Sequence, residues 1–435
     1  MLPNSFQLNK LGSSLPLGST VKSVTCRPVT GITFGAQSVI DVDLPATGWL
    51  DGASLSFRYK VAYTGGATVS TPTVLVGTPL YAPFQRLQIA QGGSTIDSIG
   101  NYSQVANLLT NLELGISQKL GLTDSYGYNP YSLGNTQYLD GRLLGTSVPP
   151  SVLPVANVVD TFYVSGPLHC VFNQSTKNIP LFAGDPIRFT FTLDSLANMS
   201  YAGNVGATVA QAIAGMVISN FEIVATIYDL GRDVERITLA QGPLYLKSAS
   251  FNNSSLLVNS GAAGSNSYFF NQRFSSIRSL FLLPCQIVGS KSCESCDLTS
   301  GAGDYSFQLN GQQYPPFPLS SALNYSAVLN ACYNAAKTIY PHATMCIDKQ
   351  EYEAVINTVP SLYYEPGKFI PSLSLMKCKY EDDILMTGVS SKETGINAVI
   401  NIPTASTAAC VLGLVLYYDV VLVFDPNTKK ISVRS

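Results

Sequence analysis

Alternation of apolar and polar side chains is the dominant pattern along this chain. In "SLSFRYKV", residues 54–61, Leu55, Phe57, Tyr59 and Val61 alternate with Ser54, Ser56, Arg58 and Lys60. A period of two sends the first four to one face of a β-strand and the second four to the other. "VIDVDL" (39–44) repeats the pattern with Ile40, Val42 and Leu44, and "RFTFTL" (188–193) repeats it with Phe189, Phe191 and Leu193. One face in a core and one face outside is what an antiparallel sheet allows. Gly92-Gly93, Gly184-Asp185-Pro186 and Asn310-Gly311 supply the backbone angles that reversals need. The fold class is therefore all-β, with short helices between strands.

The helices come from a second pattern that occurs twice. "NYSQVANLL" begins at Asn101 and "NYSAVLNAC" at Asn324. Val105, Leu108, Leu109 and Leu112 recur at helical spacing in the first copy, and Val328, Leu329, Cys332 and Ala336 in the second. Asn101 or Ser103, and Asn324 or Ser326, are placed to cap these helices. Each copy follows a strand, a glycine turn and a returning segment: "FQRLQIAQGGSTIDSIG" (84–100) and "YSFQLNGQQYPPFPLSS" (305–321). A further echo closes each half, "FEIVATIYD" from Phe221 and "YDVVLVFDP" from Tyr418. Shared order of elements points to one fold written twice. The expected organisation is an N-terminal arm over 1–20, a first domain over 21–232 and a second over 240–435. The charged stretch "DLGRDVERITLAQG" (229–242) is the joint between them.

Each half has room for an eight-stranded jelly-roll sandwich with long loops. Residues 123–142, "TDSYGYNPYSLGNTQYLDGR", and 252–267, "NNSSLLVNSGAAGSNS", read as such loops. The apolar segment "AACVLGLVLYYDVVLVF" (408–424) imitates a membrane span. It is shorter than the roughly 20 residues such a helix needs, contains Asp419, and is rich in strand formers. It is read as buried strand. The N-terminus, "MLPNSFQLNKLGSS", shows neither a charged start nor an apolar run of signal-peptide length.

Composition narrows the partners. Only 12% of the 435 residues are charged, against roughly 25% in an ordinary soluble domain. Low charge suits a surface destined for contact with other subunits, because interface cores are depleted in charge and enriched in Tyr and Phe. Net charge is −2 and no basic block occurs, so direct sequence-specific nucleic-acid binding is not expected. The nine cysteines are odd in number and irregular in spacing, which fits free buried thiols better than a disulfide framework.

No catalytic constellation stands out in the sequence. The only histidines, His169 and His342, are far apart in the chain and read as structural or surface residues. "CESC" gives Cys293 and Cys296 the spacing of a zinc or redox half-site, but no second pair completes four ligands. "GAGDYS" (301–306) lacks the third glycine of a nucleotide fingerprint and precedes a strand, not a helix. "EYE" (351–353) and "YEDD" (380–383) read as solvated turns or interface charges. No catalytic, metal or cofactor site is assigned, and the Asn-x-Ser sequons are given no glycan.

The pieces "IDVDLPATGWLDGASLSFRYKV", "YSFQLNGQQYPPFPL", "DDILMTGVSSKETGINAVINI" (382–402) and "VVLVFDPNTKKISV" together resemble the double-jelly-roll major capsid proteins. These belong to adenovirus-like, polinton-like, virophage and large nucleocytoplasmic DNA viruses. The resemblance implies two sandwiches side by side, a homotrimer forming a pseudo-hexagonal capsomer, and an icosahedral virion shell assembled in the host cell. It also implies contacts with minor capsid and penton proteins, and is compatible with a membrane beneath the shell. The N-terminal arm, carrying Phe6, Leu8, Leu11, Leu15 and Leu17, is expected to dock under the shell or on a neighbour. The alternative is a lectin-like or adhesin sandwich pair whose Tyr126, Tyr128, Tyr131 and Tyr138 stack on sugars. A β-sandwich hydrolase is the third reading.

Overall fold

The alternating stretch 54–61 lies within one long strand, Trp49–Thr64. Leu55, Phe57, Tyr59 and Val61 are all buried, as the period-two pattern requires. The computed structural model describes residues 18–64, 73–114, 116–128, 141–143, 159–175, 177–202, 213–258, 264–286, 304–320, 325–340, 370–377, 386–402 and 410–435.

Eight strands build the first sandwich: β1 (Thr20–Cys26), β2 (Val39–Leu44), β3 (Trp49–Thr64), β4 (Phe84–Gln91), β5 (Ser94–Gly100), β6 (Ile179–Pro180), β7 (Ile187–Leu193) and β8 (Gly215–Asp229). One sheet runs β1-β8-β3-β6 and the other β2-β7-β4-β5. The second sandwich uses β9 (Leu244–Val258), β10 (Gly264–Phe270), β11 (Ile277–Gln286), β12 (Asp304–Leu309), β13 (Gln312–Ser320), β14 (Ser372–Ser374), β15 (Ile396–Ile402) and β16 (Cys410–Asp425). Its sheets run β9-β16-β11-β14 and β10-β15-β12-β13. Every strand of the first set thus has the neighbours of the strand eight places later, in the same chain order. The pairings are antiparallel throughout. Two such sandwiches in tandem are a double jelly roll. Additional strands extend the sheets: Thr33–Gly35 on β8, Val159–Pro167 on β3 and Lys430–Arg434 on β16.

The echoed segments fall on equivalent elements. "FEIVATIYD" is the end of β8 and "YDVVLVFDP" the end of β16, each the strand between its sheet's first and third members. From Cys410 onward the apolar segment is therefore strand, and no helix among the described residues is long and apolar enough to cross a membrane. The Asn-Tyr-Ser repeats open helices α1 (Tyr102–Glu113) and α3 (Tyr325–Ile339), which follow β5 and β13. The hairpin turns at Gly92-Gly93 and Asn310-Gly311 join β4 to β5 and β12 to β13.

Some expectations need correction. Asn101 precedes α1 in the left-handed conformation, at φ 44°, and its side chain makes no capping hydrogen bond. Asparagine tolerates that backbone region better than most residues, so Asn101 contributes chain reversal instead of a cap. Asn324 lies outside the described residues, and Ser326 is inside α3. The supposed loop 252–267 is largely strand: β9 runs to Val258 and β10 starts at Gly264. Its polar Asn252, Asn253 and Ser254 pair in register with Leu416, Val415 and Leu414 of β16. Within 123–142, Thr123–Tyr126 is a helical turn and Tyr126 and Tyr128 are buried. The charged link contains helix α2 (Arg232–Ala240), none of whose residues is buried.

Aromatic packing dominates the first core. Phe57 lies 5.6 Å from Phe84 edge-on and 6.0 Å from Phe221, while Phe191 sits 5.1 Å from Phe221. Each such ring stabilises by about 1.5–3 kcal/mol through burial alone. Gly52 marks a close approach: an added Cβ would run into the carbonyl oxygen of Phe172.

Candidate assembly surfaces

The two sandwiches meet along an intrachain joint formed by β5 and α1 on one side and β9 and β16 on the other. The local sequence explains why these side chains reach across. β5 follows a two-glycine turn and carries Asp97 on its buried stretch. The Asp97 carboxylate accepts hydrogen bonds from Ser250 Oγ of β9 (2.7 Å), from the Val171 amide (2.9 Å) and from the Ser98 amide (2.9 Å). Burial outweighs these three donors and pushes its pKa up to about 6. Ser248 Oγ donates to the Val171 carbonyl. Asn253 Nδ2 donates to Gln104 Oε1 of α1 at 2.8 Å, and Tyr417 OH to Gln174 Oε1 at 2.9 Å. Gln91 closes the far end, with its Oε1 accepting from the Ile431 amide (2.7 Å) and its Nε2 donating to the Asp185 carbonyl (2.6 Å). Neutral donors and acceptors around one buried carboxyl thus hold the halves together.

Other surfaces remain open. β1 buries only Cys26, and β13 buries no residue at all. Phe317 on β13 is 83% exposed and Ile32, just beyond β1, is 85% exposed. On the outer face of the first sandwich, Val159, Tyr163 and Val217 are exposed, with Lys60 Nζ 5.6 Å from the Tyr163 ring centroid. Large apolar side chains in the open are a feature of protein contact surfaces when they gather on neighbouring elements.

The buried titratable groups are built for packing. His169 sits with Nε2 3.2 Å from Tyr81 OH, and its amide donates to Tyr102 OH. Burial lowers the His169 pKa to about 4, so the ring is neutral. Cys26, Cys170 and Cys332 are free and buried. Burial raises Cys170 to about 12 and Cys332 to about 11, which keeps both as thiols. Among the described residues no group of three or more His, Cys, Asp and Glu side chains is arranged to hold a metal ion. His342, Cys293, Cys296, the "EYE" and "YEDD" stretches, Tyr131, Tyr138 and nearly all of the N-terminal arm lie outside the described residues. Tyr126 and Tyr128 pack in the core, Tyr128 OH lying 2.9 Å from Thr78 Oγ1. Buried rings are not available to stack on a sugar.

Sequence reasoning missed a buried ion pair. Asp419 of β16 accepts from Arg278 of β11 at 2.6 Å (Nε) and 2.5 Å (Nη2), from Ser276 Oγ at 2.5 Å and from the Thr387 amide at 2.7 Å. Its counterpart under the alignment of the echoed segments is Glu222 of β8, which meets Arg58 of β3 at 2.8 Å. The repeat alignment held that signal, since it sets Glu222 against Asp419.

No family model matches the chain, and no curated protein matches it in sequence. Solved structures do match, nearly end to end. PBCV-1 VP54, fitted into a cryo-EM reconstruction of the virophage Sputnik, is 11% identical, with a TM-score of 0.58 over 98% of this chain and 99% of that one. The Faustovirus major capsid protein is 10% identical, with a TM-score of 0.57 over 96% and 92%. The mavirus major capsid protein is 11% identical, with a TM-score of 0.54 over 100% and 95%. Identity this low speaks to fold alone, and the whole length of the fold is shared: the chain is a double jelly roll of the kind found in these viral major capsid proteins.

Proposed function

We propose that this chain is the major capsid protein of an icosahedral virus and works by self-association. The observation that carries this reading is the end-to-end match in fold to capsid subunits, both sandwiches included. Its surface chemistry agrees, with few charges overall and exposed Phe317, Tyr163, Val159 and Ile32.

In this reading residues 1–20 are an arm, 21–232 the first jelly roll and 240–435 the second. Three chains form a pseudo-hexagonal capsomer, because three copies of a doubled fold present six similar sandwiches around one axis. Capsomers then tile the shell, with minor capsid and penton proteins at specialised positions and the arm reaching a neighbour or the shell's underside. The subunit is made and assembled in the host cell and ends in the virion. Obligate contacts of this sort bury roughly 2,000–5,000 Å² each. Negative-stain electron microscopy of the expressed full chain is the test. Ring-shaped particles with threefold symmetry are expected, and a population of isolated single chains at high concentration counts against the proposal.

A further inference from the structure

The intrachain joint has a counterpart whose two sides both stand open, on opposite halves of the chain. Within the chain, β5 of the first sandwich abuts β9 of the second, and Gln104 near the start of α1 binds Asn253. The equivalents of β5 and α1 are β13 and α3. The equivalent of β9 is β1. In the joint, residues Ser248 to Phe251 of β9 are all buried. In the open positions, β1 is exposed up to Cys26 and β13 is exposed or half-exposed along its length.

Helix α3 shows the same asymmetry. The paired repeats set Val105 against Val328 and Leu109 against Cys332, and all four are fully buried. They also set Ser103 against Ser326 and Gln104 against Ala327. The α1 members of these pairs are buried, Gln104 against Asn253 and Gly413 of the second sandwich, whereas Ser326 is exposed and Ala327 is half-buried. The inward faces match and the outward faces do not.

Register locates the acceptor. Ile223 pairs with Cys26, and its counterpart Val420 pairs with Ser248. Cys26 therefore corresponds to Ser248, and the joint residues Ser250 and Asn253 correspond to Pro28 and Gly31. Beside those two stand Val29, 59% exposed, and Ile32. On the donor side, β13 offers Phe317.

We infer that β13 and the first turns of α3 of one chain dock on residues 20–32 of the next chain, reproducing between chains the joint that β5 and α1 make with β9 within a chain. The inference rests on the shell-subunit reading and names the surfaces through which it works. Donor and acceptor are different surfaces, so the contact is head-to-tail and can close into a ring. Inside a three-chain ring, joints within chains alternate with joints between chains. The chemistry differs between the two kinds. A buried carboxyl and neutral hydrogen bonds make the inner joint, while Phe317, Val29 and Ile32 make the outer one. An aromatic anchor in an apolar setting is a common centre of binding energy.

The test places a photoreactive benzoylphenylalanine at position 317 of the full chain and mixes isotopically heavy and light chains before irradiation. The expected product is a covalent heavy–light dimer whose linked peptide maps to residues 20–32 of the second chain. A cross-link inside one chain, to residues 1–17 for example, overturns the inference, as does a link to another region of the second chain. A second variant, Phe317→Asp, is expected to weaken self-association by roughly tenfold or more while leaving the unfolding midpoint of the monomer in place; unchanged trimers would overturn the joint. If the parent chain forms trimers that cross-link elsewhere, only this joint fails. If the parent chain never leaves the monomer, the shell-subunit reading fails with it.

Discussion

Arg278→Leu and Arg58→Leu remove the same partner from equivalent acid–arginine pairs, and burial makes their costs diverge. Asp419 is fully buried, and Arg278, 12% exposed, is its only cation among the described residues. Removing that cation leaves a carboxylate in a dry site, a change that typically costs roughly 3–5 kcal/mol. Ser276 Oγ, the Thr387 amide and Thr387 Oγ1 still donate to Asp419, so the lower end of that range is expected. Glu222, in contrast, keeps a second cation in Arg27 at 3.0 Å, and Arg58 is 54% exposed. An open pair of this kind contributes about 0–1 kcal/mol. A unit of some 200 residues loses roughly 2–4 °C of Tm per kcal/mol. On that scale Arg278→Leu lowers the midpoint by roughly 6–12 °C, and Arg58→Leu by no more than about 4 °C. Thermal unfolding followed by circular dichroism at neutral pH reads both. Equal shifts for the two variants would refute the argument that burial, and not pairing as such, sets the cost.

Two buried groups should tilt stability in opposite directions on acidification. Asp97 has its pKa raised from 3.8 to about 6, so the folded chain favours the protonated form and gains stability as pH falls through 6 towards 4. His169 has its pKa lowered from 6.5 to about 4, so the unfolded chain takes up the proton first and stability falls over much the same window. Urea midpoints between pH 7 and pH 4 should therefore fall more steeply in Asp97→Asn than in the parent and less steeply in His169→Gln; slopes identical to the parent's would contradict the assignment. Gly52→Ala sets a methyl against the Phe172 carbonyl, where backbone must move. A loss of roughly 1–3 kcal/mol or more is expected, and an unchanged Tm would show that the two segments do not pack so closely.

Much of the fold was legible because its signals are local. The alternation at 54–61 and the paired helix motifs each describe a short stretch whose apolar face must be buried, and Leu55, Val61, Val105 and Val328 are buried accordingly. The order of elements in the two halves was readable for the same reason. What escaped was set by partners far along the chain. Nothing in "NNSS" announces that Asn252, Asn253 and Ser254 form an edge strand of a sheet, with Asn253 reaching Gln104 in the other sandwich. Polar composition suggested a loop, whereas pairing with β16 makes it strand. Of these three side chains only Asn253 Nδ2 is seen to bond across the joint, and the buried Asn252 Oδ1, Asn253 Oδ1 and Ser254 Oγ find no partner among the described residues. Tyr126 and Tyr128 misled in the converse way, since tyrosines amid glycine and asparagine look solvent-facing, yet Thr78 and the Tyr81 ring draw them into the core. The exposed β13 was invisible as well, because exposure is set by what packs against a strand and not by its own residues alone.

The most direct test of self-association is the mass of the purified full chain in solution, measured by light scattering across a concentration series. A species with the mass of three chains, persisting on dilution, is the expected result. A single-chain mass at every concentration would contradict the account, however well the two sandwiches fold.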